Sequence, residues 1–191
     1  MTRIGRMVLR GLAGVAVGVA VLIGYAGYLQ YTGNFHAVVA GEMYRAAQVS
    51  PAQIARHQAD AGVQSILNLR GPRPGEAWYD AELATSAALG ITHADFEMSA
   101  SEEISAAEGA QLIALMRAMP KPMLIHCRSG SDRTGLASAL YLAAIAGKGE
   151  EEAERQLSLR FGHFAVPYLS AAYPMDLTWE RMEPILGYSD S

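Results

Sequence analysis

The sequence predicts an α/β domain with a central, mostly parallel β-sheet flanked by helices, preceded by one N-terminal transmembrane helix. From residue 42 onward, short apolar strand signals alternate with helix signals, which is typical of parallel sheets. Before them, residues 11–29 contain no charged side chain, and about 20 apolar residues are needed to span a bilayer. The length of 191 residues suits one domain and one appendage.

The composition narrows the class of protein. Hydrophobic residues make up 51% of the chain and charged residues 18%, as in globular proteins. The single cysteine excludes a disulfide within the chain. There is no Cys/His cluster with zinc spacing and no glycine motif of the nucleotide-binding types. Because these motifs are absent, we expect no metal and no cofactor. The net charge of −4 gives no indication of a nucleic-acid partner, and we expect none.

The N-terminus has the pattern of a membrane anchor. Its first ten residues carry three basic side chains, Arg3, Arg6 and Arg10. Basic flanks stay on the cytoplasmic side of a membrane, so we predict a cytoplasmic N-terminus over residues 1–10 and an anchor over residues 11–30. Three tyrosines follow where an aromatic belt is expected, namely Tyr25, Tyr28 and Tyr31. The chain would then cross the membrane once and leave its domain extracytoplasmic, which is periplasmic in a bacterium.

A cleaved signal peptide is the alternative to an anchor. Signal peptides have a shorter apolar region and end at an A-x-A-like site, and residues 25–40 contain no good site of that kind. Gly14 and Gly18 form a GxxxG pair, which permits weak homodimerisation of the anchor. Without the three N-terminal arginines, twelve basic residues face nineteen acidic ones. We therefore expect no basic patch for anionic lipid and attachment through the anchor alone.

After the anchor, we predict a linker over residues 31–41 and a domain over residues 42–191. Strands are predicted over residues 42–46, 63–69, 91–98 and 123–126. Helices are predicted over residues 52–61, 76–89, 106–119, 136–146, 150–159 and 169–186. Ser50 and Pro51 have the pattern of an N-cap followed by proline at the first helical position. Residues 70–75 form a turn-rich loop at the carboxyl end of a strand, where open α/β sheets usually bind ligands.

The most informative stretch runs through residues 123–136, read as MLIHCRSGSDRTGL. An apolar strand is followed by Cys127, a short loop and a rich helix-forming run. Backbone N–H groups of such a loop converge on one point, and the helix dipole adds positive potential there. Arg133 can hold two oxygens of a tetrahedral anion with its planar fork. The same field should favour the thiolate form of Cys127, which would then be placed to attack phosphorus.

These residues resemble a known family. The spacing from Cys127 to Arg133 fits the Cys-x5-Arg signature, and HCRSGSDRTG closely resembles the phosphate loop of cysteine-dependent tyrosine and dual-specificity phosphatases. The YR-A strand near residue 45, the ILNLRG strand and the P-K-P-x-L-I-H-C approach are similar to small bacterial dual-specificity-like phosphatases. The resemblance covers roughly residues 42–165, and residues 127–135 are its most specific part.

The resemblance implies a role for each residue of the loop. Cys127 would be the nucleophile that forms a cysteinyl-phosphate. The phosphate would be held by six successive residues: Arg128, Ser129, Gly130, Ser131, Asp132 and Arg133. His126 would shape the loop by hydrogen bonding, unless it is an ordinary buried histidine. Thr134 would donate its hydroxyl to the sulfur. Arg70 ends a strand near the mouth, where it would either contact a substrate phosphate or pair with a surface carboxylate.

The general acid is left open among three carboxyls. In the family, an aspartate well upstream of the cysteine usually supplies the proton, and some relatives with a DRT ending use the aspartate inside the loop. We rank Asp132 first, Asp95 second and Glu102 third. Each also has a purely structural interpretation: an ion pair or loop contact for Asp132, a strand-edge charge for Asp95, and a charge preceding a helix for Glu102.

The sequence thus predicts a membrane-anchored phosphatase acting on phosphotyrosine, phosphoserine/threonine or a small phosphate ester. The first alternative is a catalytically idle phosphate-binding module. The intact cysteine argues against it, because a pure binder needs no thiol. The second is a sulfur transferase of the rhodanese type, whose cysteine loop is usually shorter and lacks the HC-x-x-G-x-x-RTG frame.

Overall fold

A five-stranded sheet lies at the centre of the computed structural model, which describes residues 3–188 apart from the side chains of residues 5, 6, 8 and 9. The strands are β1 (His36–Val39), β2 (Met43–Ala46), β3 (Ser65–Asn68), β4 (Thr92–Asp95) and β5 (Met123–His126). The first two and last three residues, which belong to the predicted N-terminus and domain, lie outside the described residues.

The sheet is mostly parallel, as predicted. Its strand order is β1-β2-β5-β3-β4, and among these strands only β1 runs antiparallel to its neighbour. In the register, His126 lies opposite both Ala46 and Asn68, and Asn68 lies opposite Asp95. The carboxyl ends of four strands therefore meet at one edge of the sheet, which is where such folds place their ligands.

Seven helices are described, and two of them begin with a complete capping box. They are α1 (Arg3–Thr32), α2 (Pro51–Ala61), α3 (Ala77–Ala88), α4 (Ala106–Ala118), α5 (Asp132–Ala144), α6 (Glu150–Glu154) and α7 (Tyr173–Met182), with a 3-10 turn at Leu159–Phe161. Ser50 caps α2 and Ser105 caps α4. The last helix is shorter than predicted because Pro174 lies in its first turn, where its missing N–H costs nothing, rather than inside it.

Alternating side chains of the strands fill two apolar cores, one on each face of the sheet. On β5, Leu124 enters the smaller core with Ile54 of α2, whereas Met123 and Ile125 enter the larger core beneath α4, α5 and α7. All three β5 side chains have no solvent exposure. A buried aliphatic side chain contributes about 1.5–3 kcal/mol, so β5 is held from both faces. It is the strand that ends at residues 127–131, which we call the cysteine loop.

The structure corrects the predicted linker over residues 31–41. Residues 36–39 form β1, which pairs with the edge of β2. Asn34 has no solvent exposure, and its amide donates hydrogen bonds to the carbonyl oxygens of Phe161 (2.8 Å) and Ser129 (3.1 Å). Because buried polar groups and strand edges need partners, this segment is part of the folded domain. Its strand signal is only four residues long, which is too short to recognise in the sequence.

The predicted anchor is one continuous helix. Within α1, the stretch Arg10–Thr32 is long and apolar enough to cross a membrane, by length and composition. Most of its side chains are exposed, including Val17, Val21 and Ile23. Only its last turns contact the domain.

Candidate active site

The cysteine loop connects β5 to α5. Cys127 follows the last residue of β5 and is almost completely buried, and α5 begins at Asp132. The backbone N–H of Gly130 donates a hydrogen bond to Cys127 Sγ, with N and S 3.3 Å apart. The sulfur therefore lies at the N-terminus of a thirteen-residue helix, where backbone donors and the helix dipole favour negative charge.

Gly130 is required by the geometry of the loop. Its φ of +73° lies in the left-handed region, and a Cβ at this position would lie 2.6 Å from the backbone nitrogen of Ala47. That nitrogen belongs to the residue that follows β2. The loop is therefore pressed against the end of the neighbouring strand, and only glycine allows both the turn and the close approach.

Arg133 is placed to bind an oxyanion. Its Nη1 lies 3.4 Å from the Leu69 carbonyl oxygen and 3.3 Å from that of Met98, so the guanidinium bridges the ends of β3 and β4. Its Nε is buried and has no hydrogen-bond partner in the described part of the chain. A buried donor without a partner is costly, which is consistent with a group that is satisfied by a bound anion. The guanidinium lines a cavity of about 520 Å³.

Arg70 lies on the wall of the same cavity. Its guanidinium stacks over the Trp78 ring at 3.7 Å and donates to Gln48 Oε1 at 2.8 Å. Burial lowers the pKa of Arg70, and the nearby charges of Arg133, Arg128 and Arg73 lower it further, against the opposing charge of Glu76. Arg70, Arg73 and Arg133 thus line one cavity together with four glutamates, Glu97, Glu102, Glu103 and Glu108. Arg73 is paired with Glu97 at 2.7 Å, so Arg70 and Arg133 are the guanidinium groups better placed to meet an anionic ligand.

His126 is fixed by a buried carboxylate. Its Nε2 lies 2.9 Å from Glu82 Oε1, and its Nδ1 lies 3.3 Å from the Cys127 carbonyl oxygen. Glu82 has no solvent exposure and also binds His93 at 2.9 Å and Gln48 at 2.7 Å. Burial raises the pKa of Glu82, but the hydrogen bonds from both histidines outweigh it and hold the pKa at about 2. Glu82 was not identified from the sequence, because a single acid in an Ala-rich helix gives no signal.

Thr134 differs from its predicted contact, whereas the phosphate contacts predicted for the two loop serines stay predictions. The Thr134 hydroxyl is buried and has no hydrogen-bond partner among the described residues, so the predicted bond to the Cys127 sulfur is not formed. The turn at Gly130 instead aims a backbone N–H at the sulfur. The Ser129 carbonyl accepts bonds from Gln30 and Asn34, and Ser131 gives no side-chain cap to α5. Both serines are thus small residues beside a fixed backbone, and Arg128 is exposed to solvent.

Asp132, the first-ranked acid candidate, is hydrogen-bonded by a histidine. His163 Nδ1 lies 2.8 Å from Asp132 Oδ1, and its Nε2 lies 3.1 Å from Asp176 Oδ2. Burial lowers the pKa of His163, but the two carboxylates outweigh this effect and raise the pKa to about 9. The imidazole is therefore cationic at neutral pH and orients Asp132 beside the loop. Neither His163 nor Asp176 was identified from the sequence, since only the fold brings them to α5.

The other two acid candidates are in different surroundings. Asp95 accepts hydrogen bonds at both oxygens, from Asn68 Nδ2 (2.7 Å) and from the Tyr79 hydroxyl (2.6 Å). Glu102 is exposed and lines the cavity next to Arg133. Its carboxylate has no ion-pair partner in the part of the chain that the structure describes.

Arg45 is a buried charge behind the loop that sequence reasoning placed in a strand but did not assign to the site. Its Nη2 donates to the carbonyl oxygens of Gly130 (2.8 Å) and Ser131 (3.2 Å), and its guanidinium stacks on the Phe161 ring at 3.9 Å. Burial lowers the pKa of Arg45 to about 9, while the charges of Cys127 and Asp132 oppose this shift. Arg45 thus remains cationic at neutral pH and adds positive charge beneath the loop that carries Cys127. An arginine between buried strand residues was the only sequence signal.

These features define a cysteine-centred oxyanion site on a parallel α/β sheet. The chain belongs to the tyrosine phosphatase family, whose model matches residues 25–153. This result confirms the resemblance read from the sequence and the class of enzyme, a protein-tyrosine/dual-specificity phosphatase. No curated protein matches the chain at a significant level. Within residues 3–188, no group of His, Cys, Asp and Glu side chains is arranged to hold a metal ion.

Solved structures share the fold. The crystal structure of P. aeruginosa TpbA is 19% identical, with a TM-score of 0.61 over 78% of this chain and 85% of that one. A TpbA variant in complex with pTyr is 18% identical, with a TM-score of 0.56 over 77% and 91% of the two chains. The core catalytic domain of the PP-IP phosphatase SIW14 from S. cerevisiae is 22% identical, with a TM-score of 0.56 over 80% and 91%. They confirm the predicted fold class.

We predict that Arg45→Met weakens the thiolate, because it removes a buried positive charge from beneath the loop. The rate of Cys127 alkylation by iodoacetamide, measured against pH, should have its midpoint at higher pH in this variant. The chain contains one cysteine, so alkylation reports on Cys127 alone. Arg45→Lys keeps the charge, so the midpoint of its alkylation profile should stay close to that of the native chain. Arg56→Met, on the exposed face of α2, is the matched control. An unchanged profile in Arg45→Met would contradict this role.

We predict that the domain loses stability in mild alkali because of His163. Folding raises the pKa of His163 from its ordinary 6.5 to about 9. The stabilisation is therefore fully present below pH 6.5 and is lost as pH rises through about 9. The free energy of urea unfolding should decline over this window in the native chain and stay flatter in His163→Asn. His57→Asn is the control and should keep the decline. Parallel curves for the native chain and His163→Asn would exclude this coupling.

Proposed function

We propose that this protein is a membrane-anchored phosphatase that hydrolyses phosphate monoesters, namely phosphotyrosine and/or phosphoserine/threonine, through a cysteinyl-phosphate. One observation carries the catalytic part of the proposal. Cys127 Sγ accepts the Gly130 N–H at the N-terminus of α5, and the Nε donor of Arg133, in the first turn of that helix, is buried with no partner among the described residues. A thiolate and a free guanidinium donor at one anion cradle are the groups that phosphoryl transfer to sulfur requires.

The proposed reaction has two steps. The Cys127 thiolate attacks phosphorus, the ester P–O bond breaks, and the leaving oxygen takes a proton from an acid. Water then attacks the cysteinyl-phosphate, releasing inorganic phosphate and the thiolate. In both steps, Arg133 and the backbone N–H groups of residues 128–132 would hold the three equatorial oxygens. Positioning and charge stabilisation of this kind account for most of the catalysis of phosphoryl transfer.

For the proton donor, the contacts support Asp132. It begins α5 beside Arg133, and only its Oδ1 is engaged, by His163. Asp176 binds the other nitrogen of His163, so the charge of the imidazolium is shared between two carboxylates while it orients Asp132. Asp95 accepts a hydrogen bond at each of its oxygens, from Asn68 and from Tyr79, which makes it less available to a leaving group than Asp132, although each oxygen keeps a second lone pair. Glu102 lines the outer cavity and is the second candidate.

The contacts of α1 support retention of the anchor. Leu29 is 3% exposed, and the Tyr25 hydroxyl donates to the Arg160 carbonyl oxygen at 2.6 Å. Cleavage beyond these residues would strip the domain of both contacts, whereas a signal peptide makes no lasting contact with its mature domain. A single crossing, with residues 1–10 cytoplasmic and the domain extracytoplasmic, is part of the proposal. Gly14 and Gly18 have open space at their Cβ positions, so the weak homodimer stays a prediction.

Phosphotyrosine is the first substrate to test, since one structural relative was solved with pTyr. We predict that the full chain in detergent hydrolyses para-nitrophenyl phosphate without added metal and is inhibited by orthovanadate. Cys127→Ser removes the thiolate, so kcat should fall by about a thousandfold or more while phosphate binding survives. Turnover is measured by absorbance and binding by calorimetry. Binding without turnover in the native chain would favour the idle module, and full activity in Cys127→Ser would exclude the mechanism.

A comparison of pH profiles identifies the proton donor. An acid must be protonated to act, so kcat falls as pH rises through its pKa, and removing the acid abolishes this basic limb. We expect Asp132→Asn to lose the limb and about 10²-fold or more in kcat, with the largest loss on poor leaving groups. Asp95→Asn and Glu102→Gln are the matched comparisons and should keep the limb. If Glu102→Gln alone loses it, the role belongs to Glu102.

A further inference from the structure

The exposed apolar side chains of the domain are concentrated in one segment. Outside α1, six large hydrophobic residues of the described chain are exposed, and four of them fall in residues 159–169. They are Leu159 (52%), Phe164 (58%), Tyr168 (90%) and Leu169 (85%). Exposed apolar clusters of this kind mark surfaces that contact a protein or a membrane.

This segment lies directly beside the proposed anchor. Leu159, Gly162 and Phe164 line one wall of an apolar cavity of about 250 Å³. The other wall consists of four α1 residues, Leu22, Ile23, Tyr25 and Ala26. Lipid that surrounds α1 at this level would therefore also meet Leu159 and Phe164.

The position of the cavity along α1 sets its depth. Residues 22–26 precede Gln30, the predicted end of the span, by four to eight residues, which is about 6–12 Å at the rise of an α-helix. Side chains that enter a bilayer interface reach about 5–10 Å into the boundary between headgroups and acyl chains. Leu159 and Phe164 thus lie at the depth of interfacial insertion when α1 spans the membrane.

The junction between α1 and the domain fixes this arrangement. Leu29 packs against Gly162, where a Cβ would lie 3.1 Å from Leu29 Cδ1. Gln30 Nε2 donates to the Ser129 carbonyl oxygen at 3.2 Å, so the last turn of α1 also contacts the cysteine loop. With buried Asn34 following directly, no free linker lets the domain swing away from the membrane.

We propose that residues 159–169 form a membrane-contact surface that inserts Leu159 and Phe164 among the lipid acyl chains beside α1. The inference rests on the anchoring in the proposed function. It extends that function, because the domain then contacts the bilayer directly and does not only hang from the anchor by a linker. The exposed Arg160 follows Leu159 in the chain and places its guanidinium 5.3 Å from the Phe161 ring, and a long basic side chain at this position can turn its charge toward lipid headgroups. The seated domain holds its cysteine loop next to the bilayer surface through the Gln30 contact. The proposal adds a second point of attachment to the expected attachment through the anchor alone.

Lipid-borne quenching tests the proposal on the full chain. Cys127→Ser removes the native thiol, and a single cysteine is then added by Phe164→Cys, Ile185→Cys or Val17→Cys and labelled with an environment-sensitive fluorophore. Ile185 is the matched control, because it is as exposed as Phe164 (59% against 58%) and does not line the cavity. Val17 reports insertion of the anchor. The variants are placed in nanodiscs of phosphatidylethanolamine and phosphatidylglycerol that contain a lipid with a nitroxide near the carbonyl end of its acyl chain.

We expect labels at positions 17 and 164 to be quenched several-fold more than the label at position 185. If position 17 is quenched and position 164 is not quenched more than position 185, the membrane-contact surface is excluded while the anchor stands. If position 17 is not quenched, the anchor fails, and this inference fails with it. Leu159→Cys in the same background provides a second reporter, whose quenching must follow that of position 164. If the labels at positions 159 and 164 are both unquenched, the proposal is overturned, because a local disturbance by one substitution would not explain both results.

Discussion

The site depends on the close approach of the Gly130 turn to the end of β2. There the loop backbone lies so near Ala47 that a single Cβ would overlap it, and this contact turns the Gly130 N–H toward the Cys127 sulfur. The parallel register places the other elements of the site, because it brings the ends of β2, β3, β4 and β5 to one edge of the sheet. Arg133 then spans from α5 to the carbonyls beyond β3 and β4. One tight backbone contact therefore aligns the sulfur, the helix N-terminus and the guanidinium.

Buried charges on three sides hold the loop in this shape. Arg45 binds its carbonyls from below, Glu82 holds His126 at its entrance, and His163 binds Asp132 at its exit. Each charge is accompanied by hydrogen bonds or a ring contact, which reduces the cost of burying it. Together these charged residues fix the loop carbonyls in place, and Arg45 adds positive charge beneath the loop that carries Cys127. Such preorganisation spares the enzyme from reorganising polar groups during the reaction.

The helix α1 and the domain share an interface that the prediction of a linker did not anticipate. Asn34 and Gln30 both donate to the Ser129 carbonyl, so the end of α1 and the segment after it contact the cysteine loop directly. β1 then continues from this junction into the sheet. The end of α1 and the shape of the active site are therefore linked through two hydrogen bonds at one carbonyl oxygen.

The sequence alone determined the family, the strand-loop-helix order around Cys127 and Arg133 and the apolar N-terminal helix, and it predicted the roles of these two residues as nucleophile and oxyanion-binding group. Each of these is a local pattern, expressed in neighbouring residues, periodicity or length. Tertiary structure decided which side chains support the site. Arg45 binds the loop from behind, Glu82 binds His126, and His163 binds both Asp132 and Asp176. Tertiary structure also left Thr134 without its predicted bond and made β1 from a predicted linker. The side-chain contacts of these supporting residues join residues 13 to 86 positions apart in the chain, and no local pattern specifies which distant side chain the fold will bring to a given atom.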